Sequence, residues 1–180
     1  MLQQFQKGVI LTEKYPGLFH KVIKGNSYSL ADNKSGDELT RILATGTFDI
    51  LHPGHLYYLE QARKYGSELY VLVARDSTIE HKPKPIVPEK QRLEMVKALK
   101  VVDHALLGSE EDMFKPLEEV QPDIIVLGHD QVFDEKELED KLQKRGFKTK
   151  VVRLGKPRQC PLCSSGRIIK RILERKRTEL

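Results

Sequence analysis

From residue 41 onward, short apolar runs alternate with longer segments in which apolar residues recur every three or four positions. Arg41–Gly46 (RILATG), Glu68–Ala74 (ELYVLVA), His104–Leu107 (HALL), Asp123–Leu127 (DIIVL) and Lys148–Leu154 (KTKVVRL) predict strands. A continuous run such as DIIVL suits a strand covered on both faces, as in a parallel sheet. Between them, Pro53–Tyr65, Pro88–Leu99, Met113–Val120, Asp134–Arg145 and Ser164–Arg175 predict helices. Leu56, Leu59 and Ala62 mark the buried stripe of the first, and Leu93, Val96, Ala98 and Leu99 that of the second. Pro53 fits a first helical turn, where its missing N–H costs nothing. The repeated β-α order predicts an α/β fold: a Rossmann-like, doubly wound, parallel five-stranded sheet with helices on both faces, joined by right-handed crossovers. Ligands of such sheets bind beyond the carboxyl ends of the strands, at the topological switch point.

Residues 1–40 break this rhythm. Gly25–Gly36 (GNSYSLADNKSG) is a polar, turn-rich linker. Lys7–Phe19 reads either as a small hairpin or as the remnant of a wing, and is too short to build a core by itself. The expected organisation is a short N-terminal extension, 1–40, followed by one domain, 41–180.

Composition narrows the function. With 180 residues the chain has room for one domain and an appendage. Its 31 Lys+Arg against 26 Asp+Glu give a net charge of +5, which suits either nucleic acid or small polyphosphates. The aromatic fraction of 7% and the absence of Trp leave no stacking platform for single strands, so no nucleic acid is expected. No apolar run approaches the roughly 18 residues of a membrane span, and MLQQFQKGVIL lacks the features of a secretory signal. The expectation is a cytoplasmic protein with no membrane partner. Cys160 and Cys163 form a single CxxC, with no second pair to complete a four-ligand zinc site. In a reducing compartment they are expected to be free thiols lining the loop into the last helix, with any redox role left open.

Chemistry concentrates in Thr45–His55, TGTFDILHPGH. Strand one ends at Thr45-Gly46 and the next helix begins at Pro53, so the loop lies at the carboxyl edge of the sheet. His52 and His55 flank that helix start. Gly54, lacking a side chain, leaves room for a phosphate to approach the backbone, and a helix start supplies free N–H groups and a positive dipole end. An imidazole beside it can donate to a phosphate oxygen as charge builds.

Gly46, Thr47, Phe48, Asp49, His52, Gly54 and His55 match the (G/T)TFDxxHxGH signature, and on these residues the chain resembles the cytidylyltransferase-like nucleotidyltransferase superfamily. The resemblance implies direct in-line transfer of a nucleotidyl group to a phosphorylated acceptor. It places the nucleotide against Thr45, Gly46, Thr47, Phe48, Asp49, His52, Gly54 and His55, with His52 and His55 on the α-phosphate. Lys82 and Lys84, in the loop after strand two, would meet the outer phosphates. Gly128 and Asp130 match a GxD turn after strand four, where Asp130 would orient the nucleotide or serve as a turn residue. Arg158, Ser164 and Ser165 match an RxxxISTT-type segment opening the last helix, with Pro161 and Cys163 as departures. In this reading His52, His55, Lys84 and Arg158 are catalytic. Arg92 sits where relatives carry an arginine, or pairs with a nearby Glu. No dedicated protein metal site is expected; Mg²⁺ or another divalent cation would arrive with the triphosphate.

The wider strings VARDSTIEHKPKPIVPEKQRLEMVKAL, VVDHALLGS, PDIIVLGHDQVFDE and CSSGRIIKRIL are similar to the archaeal-type FAD synthase group. That implies ATP and FMN as substrates and a possible homodimer. The rival is a CTP-dependent cytidylyltransferase acting on glycerol 3-phosphate or a similar phosphorylated alcohol. Such enzymes carry Arg-Tyr-Val-Asp where this chain has Lys100-Val101-Val102-Asp103. A third reading, a nucleotide sensor without turnover, has no use for the histidines, Arg158 and serines together.

Overall fold

The computed structural model describes residues 39–80 and 83–178. Among the described residues five strands and five α-helices alternate: β1 (Arg41–Gly46), α1 (Pro53–Ala62), β2 (Glu68–Val73), α2 (Glu89–Lys97), β3 (His104–Leu107), α3 (Lys115–Val120), β4 (Ile124–Leu127), α4 (Glu135–Lys144), β5 (Lys150–Arg153) and α5 (Ser165–Thr178). All strand pairs are parallel, in the order β3-β2-β1-β4-β5. The chain therefore winds outward from β1 to β3, returns, and continues through β4 to β5. The switch point lies between β1 and β4.

Alternate residues of each strand serve opposite faces, which explains the unbroken apolar runs. Ile42, Ala44, Leu69, Val71, Val73 and Val126 pack with Leu59 and Ala62 of α1 and Val96 of α2. Leu43, Ile125, Leu127 and Val151 face the other way, against Leu117 and Val120 of α3 and Leu138 and Leu142 of α4. Two cores back to back are the doubly wound arrangement the sequence predicts.

The ends of elements differ from the periodic reading where side chains take over the backbone groups. The first helix passes into a 3-10 turn at Arg63–Tyr65. Asp123 stays outside β4, its carboxylate accepting the Arg41 N–H at 2.7 Å. Thr149, buried before β5, donates its hydroxyl to Pro122 O at 2.6 Å. Asp134 caps α4 by accepting from Glu137 N–H at 2.8 Å. Leu56 and Ala98, expected in the buried stripes, are exposed instead. In α2 the buried positions are Val96 and Arg92, the latter only 1% exposed.

Candidate active site

The loop after β1 makes two tight turns through left-handed backbone, at Phe48 (φ 56°) and Ile50 (φ 46°). Phe48 is anchored by burial, its ring so close beneath Gly46 that a Cβ there would stand 2.9 Å from it. Asp49 ties the loop to the segment before α2, its carboxylate accepting from Ile86 N–H (3.1 Å) and Val87 N–H (3.0 Å). Arg92 completes the anchorage. Its guanidinium donates to Val87 O (2.8 Å), Ala74 O (2.9 Å) and Thr47 O, and pairs with Asp76 at 2.5 Å. Arg92 thus pairs with an aspartate, and chiefly knits backbone. Burial of Asp76 works against ionisation, but the Glu89 N–H and Arg92 outweigh it and hold the carboxyl below its usual range.

His52 is the N-cap of α1, its Nδ1 accepting from His55 N–H at 3.3 Å. That bond fixes the neutral tautomer, leaving Nε2–H as a donor. Desolvation lowers the His52 pKa from its ordinary value, against the opposing effect of its backbone hydrogen bond, so the neutral form prevails at physiological pH. The His52 and His55 rings stack with centroids 3.7 Å apart, and His55 leans on Phe48 at 5.2 Å. The result is a pair of imidazoles fixed at a helix start, where N–H groups and the dipole favour an anion.

Opposite stands the start of α5. Cys163 O packs against Gly54 so tightly that a Cβ on residue 54 would lie 2.5 Å from it. The space a side chain would need at Gly54 is therefore taken by the protein's own backbone, a second reason for glycine at this position. Ser165 Oγ donates to Asp49 O at 2.6 Å, and Ser164 Oγ accepts from Arg167 N–H at 3.3 Å, an N-terminal cap. These contacts join the two helix starts. Cys160 and Cys163 lie in the loop into α5, as expected, but are joined by a disulfide. The turn through Pro161 and Leu162 brings their Cα atoms to 5.3 Å, within bonding range. The free-thiol expectation is corrected accordingly.

The remaining candidates sit as follows. Thr45 and Gly46 end β1, and Gly128 and Asp130 follow β4 on the other side of the switch point. Asp130 is exposed beside His129 at 3.7 Å. Lys84 is exposed, with Nζ donating to Asp76 O at 2.7 Å. Arg158 is exposed in the loop after β5 and makes no ion pair among the described residues. Lys82 lies outside the described residues. Three contributors escaped the sequence reading. Tyr58 on α1 inserts its hydroxyl between β1 and β4, accepting from Thr45 N–H (3.1 Å) and facing Val126 O (2.7 Å) and Thr45 O (3.2 Å). Burial pushes its phenol pKa up. Gln131 bridges Gly128 and Thr45. Arg153, a charge closing an apolar strand, was the one visible signal. It donates to Gly128 O (3.0 Å), Gln131 O (2.8 Å) and Phe133 O.

A doubly wound sheet with a histidine-flanked helix start at its switch point places the chain among the α/β nucleotidyltransferase enzymes. The chain belongs to the cytidylyltransferase-like family, whose model matches residues 43–171. It is 95% identical over 142 residues to a protein named FAD synthase from Methanohalophilus mahii, covering 79% of this chain and 100% of that one. A Methanosarcina acetivorans protein of the same name is 66% identical, covering 79% and 94%. Among solved structures, a Thermoplasma volcanium protein described as a lipopolysaccharide core biosynthesis protein aligns with a TM-score of 0.64 and 52% identity, covering 66% of this chain and 98% of that one. An Archaeoglobus fulgidus protein of unknown function, at 19% identity and a TM-score of 0.54 over 64% and 90% of the chains, shares the fold.

Proposed function

We propose that this chain is an FAD synthase, transferring the adenylyl group of ATP to FMN with release of pyrophosphate. The observation that carries the reading is the 95% identity, over the full length of the relative, to a protein bearing that name. An oxygen of the FMN phosphate attacks the α-phosphorus of ATP; a new P–O bond forms as the bond to the bridging oxygen of pyrophosphate breaks. No side chain needs to be adenylylated, so catalysis rests on positioning and on stabilising charge as it builds.

In this mechanism neutral His52 donates through Nε2–H to an α-phosphate oxygen, and His55 supports the same group. The α1 start adds its N–H groups. Ser164, Ser165 and Arg158 at the α5 start hold the β- and γ-phosphates, Arg158 by a forked contact. Lys84, with Lys82 beside it in sequence, adds charge from the β2 side once Nζ exchanges Asp76 O for phosphate. Gly46, Thr47, Phe48 and Asp49 act by shaping the turn, while Thr45, Gly128 and Asp130 border the nucleoside across the switch point. Among the described residues no three His, Cys, Asp or Glu side chains cluster as a metal site. In this reading a divalent cation such as Mg²⁺ would arrive with the triphosphate and needs no dedicated carboxylate cage. Such an ion supplies neutralisation of the departing pyrophosphate. Among the described residues no helix is long and apolar enough to cross a membrane; a cytoplasmic site of action and a homodimer complete the proposal, the latter checked by analytical ultracentrifugation.

The test is incubation of the purified protein with Mg²⁺, ATP or CTP, and FMN or glycerol 3-phosphate, with products separated by chromatography. FAD formed from ATP and FMN supports the proposal. CDP-glycerol in its place supports the CTP-dependent reading, and binding without turnover supports a sensor.

A further inference from the structure

The loop after β4 contains a side chain that the motif reading assigns no part. Gln131 Oε1 accepts from Gly128 N–H at 2.9 Å, and Nε2 donates to Thr45 O at 2.7 Å. One partner is a backbone donor and the other a backbone acceptor, so the amide can face only one way. Nε2 also reaches Thr45 Oγ1 at 3.3 Å. The threonine hydroxyl accepts there, and its own hydrogen points elsewhere.

The surroundings leave that hydrogen for a ligand. The β1–β4 ladder stops at Ala44 and Val126. Beyond it the Tyr58 hydroxyl accepts from Thr45 N–H while donating to Val126 O, and Gln131 Nε2 donates to Thr45 O. The backbone of Thr45 is thereby satisfied, while its hydroxyl donates to no group among the described residues. It stands at the carboxyl edge of β1, at the switch point, where ligands of such sheets bind. Gln131 is not needed merely to hold its loop, because Arg153 already binds the carbonyls of Gly128, Gln131 and Phe133.

We propose that Gln131 is a positioning residue for adenylyl transfer: it turns the Thr45 hydroxyl outward as a hydrogen-bond donor to a phosphate oxygen of a reactant. The proposal rests on the function proposed above. Both reactants carry phosphate, so the KM for each identifies which one the hydroxyl meets.

Q131E is the decisive variant. At pH 8 the introduced carboxylate still accepts from Gly128 N–H but loses both donors, and it draws the Thr45 hydroxyl hydrogen to itself. The expected result is a fall in kcat/KM of about tenfold or more, the scale of one hydrogen bond to a charged group. As pH falls, protonation of that carboxyl restores an O–H donor for Thr45 O, so the ratio of Q131E to wild-type activity rises. T45V is expected to match the Q131E loss, T45S, which keeps the hydroxyl, to recover most of what T45V loses, and Q131E/T45V to be no worse than T45V. A ratio flat with pH, or losses that multiply in the double variant, would overturn the proposal. Should Q131E not fold, T45V at the wild-type rate overturns it equally, and T45V impaired beside an active T45S sustains it. Failure of the underlying reading looks different: the wild type would then make no FAD at all.

Discussion

Replacing Gly54 by alanine tests whether the two helix starts form one site. The added Cβ would lie 2.5 Å from Cys163 O, 2.9 Å from His52 Nδ1 and 3.0 Å from His52 Cε1. Real Cβ atoms essentially never come within 3.0 Å of another group, so the carbonyl must retreat by roughly half an ångström, and the His52 ring must give slightly as well. The carbonyl is backbone, and cannot swing aside as a flexible side chain would. It is followed directly by Ser164 and Ser165, so its retreat moves the α5 start away from the histidines. Overpacking of this kind costs about 1–3 kcal/mol. A 1 Å misplacement of catalytic groups costs about 10²-fold, so half of that costs about tenfold in kcat/KM. Chromatographic assay of FAD formation and thermal melting by circular dichroism measure the two effects. Gly155→Ala, where nothing lies within 4 Å, is the control and should leave the melt unchanged. Wild-type rate and melting in G54A would refute the argued contact between α1 and the α5 loop.

Three further outcomes are expected. His55→Ala should lower kcat by about 10²-fold, corresponding to about 3 kcal/mol for one donor to a developing charge, with little change in the melt; near-wild-type turnover would remove His55 from the mechanism. The folded-state pKa of His52 is lowered, so its contribution to stability is fully present above its ordinary 6.5 and is lost as pH falls through the folded value. Its Cε1–H proton resonance should titrate below 6.5, and a midpoint at or above that value would contradict the desolvation of its ring. Arg92→Ala strands the carbonyls of Thr47, Ala74 and Val87 and should cost about 3–5 kcal/mol by urea denaturation. Asp76→Asn leaves those three bonds intact, and its carboxylate is 40% exposed, so it should cost far less; equal losses would show that the ion pair, not the backbone, is what Arg92 serves.

The sheet was legible because each strand is a short apolar run and strands alternate regularly with helices, leaving few ways to connect them. The histidine pair was legible because both residues sit within the first helical turn, where spacing alone brings them together. What escaped notice depends on distance along the chain. Gln131 and Thr45 are 86 residues apart and Tyr58 and Val126 are 68, and nothing in a linear reading joins them. Arg92 was expected to pair with a Glu or to match an arginine of relatives; what a linear reading could not supply is that the carbonyls of Thr47, Ala74 and Val87, from three separate segments, converge on it. Gly54 was correctly singled out for its lack of a side chain, but the neighbour that needs the space comes from Cys163, over a hundred positions away. Asp49 likewise has the residue type of a ligand contact and is used, in the structure, to hold Ile86 and Val87.

The left-handed turns at Phe48 and Ile50 carry a consequence for the order in which the molecule assembles. Each non-glycine residue in that conformation costs about 1–2 kcal/mol, so TGTFDILHPGH does not hold its shape unaided. Its restraints come from far downstream: Arg92 on Thr47, the Ile86–Val87 segment on Asp49, and finally Ser165, which reaches Asp49 from 116 positions away. A chain emerging from the ribosome can pair β1 with β2 early, yet the turn receives its last restraint only when the start of α5 docks. Turnover is therefore the final property the protein acquires.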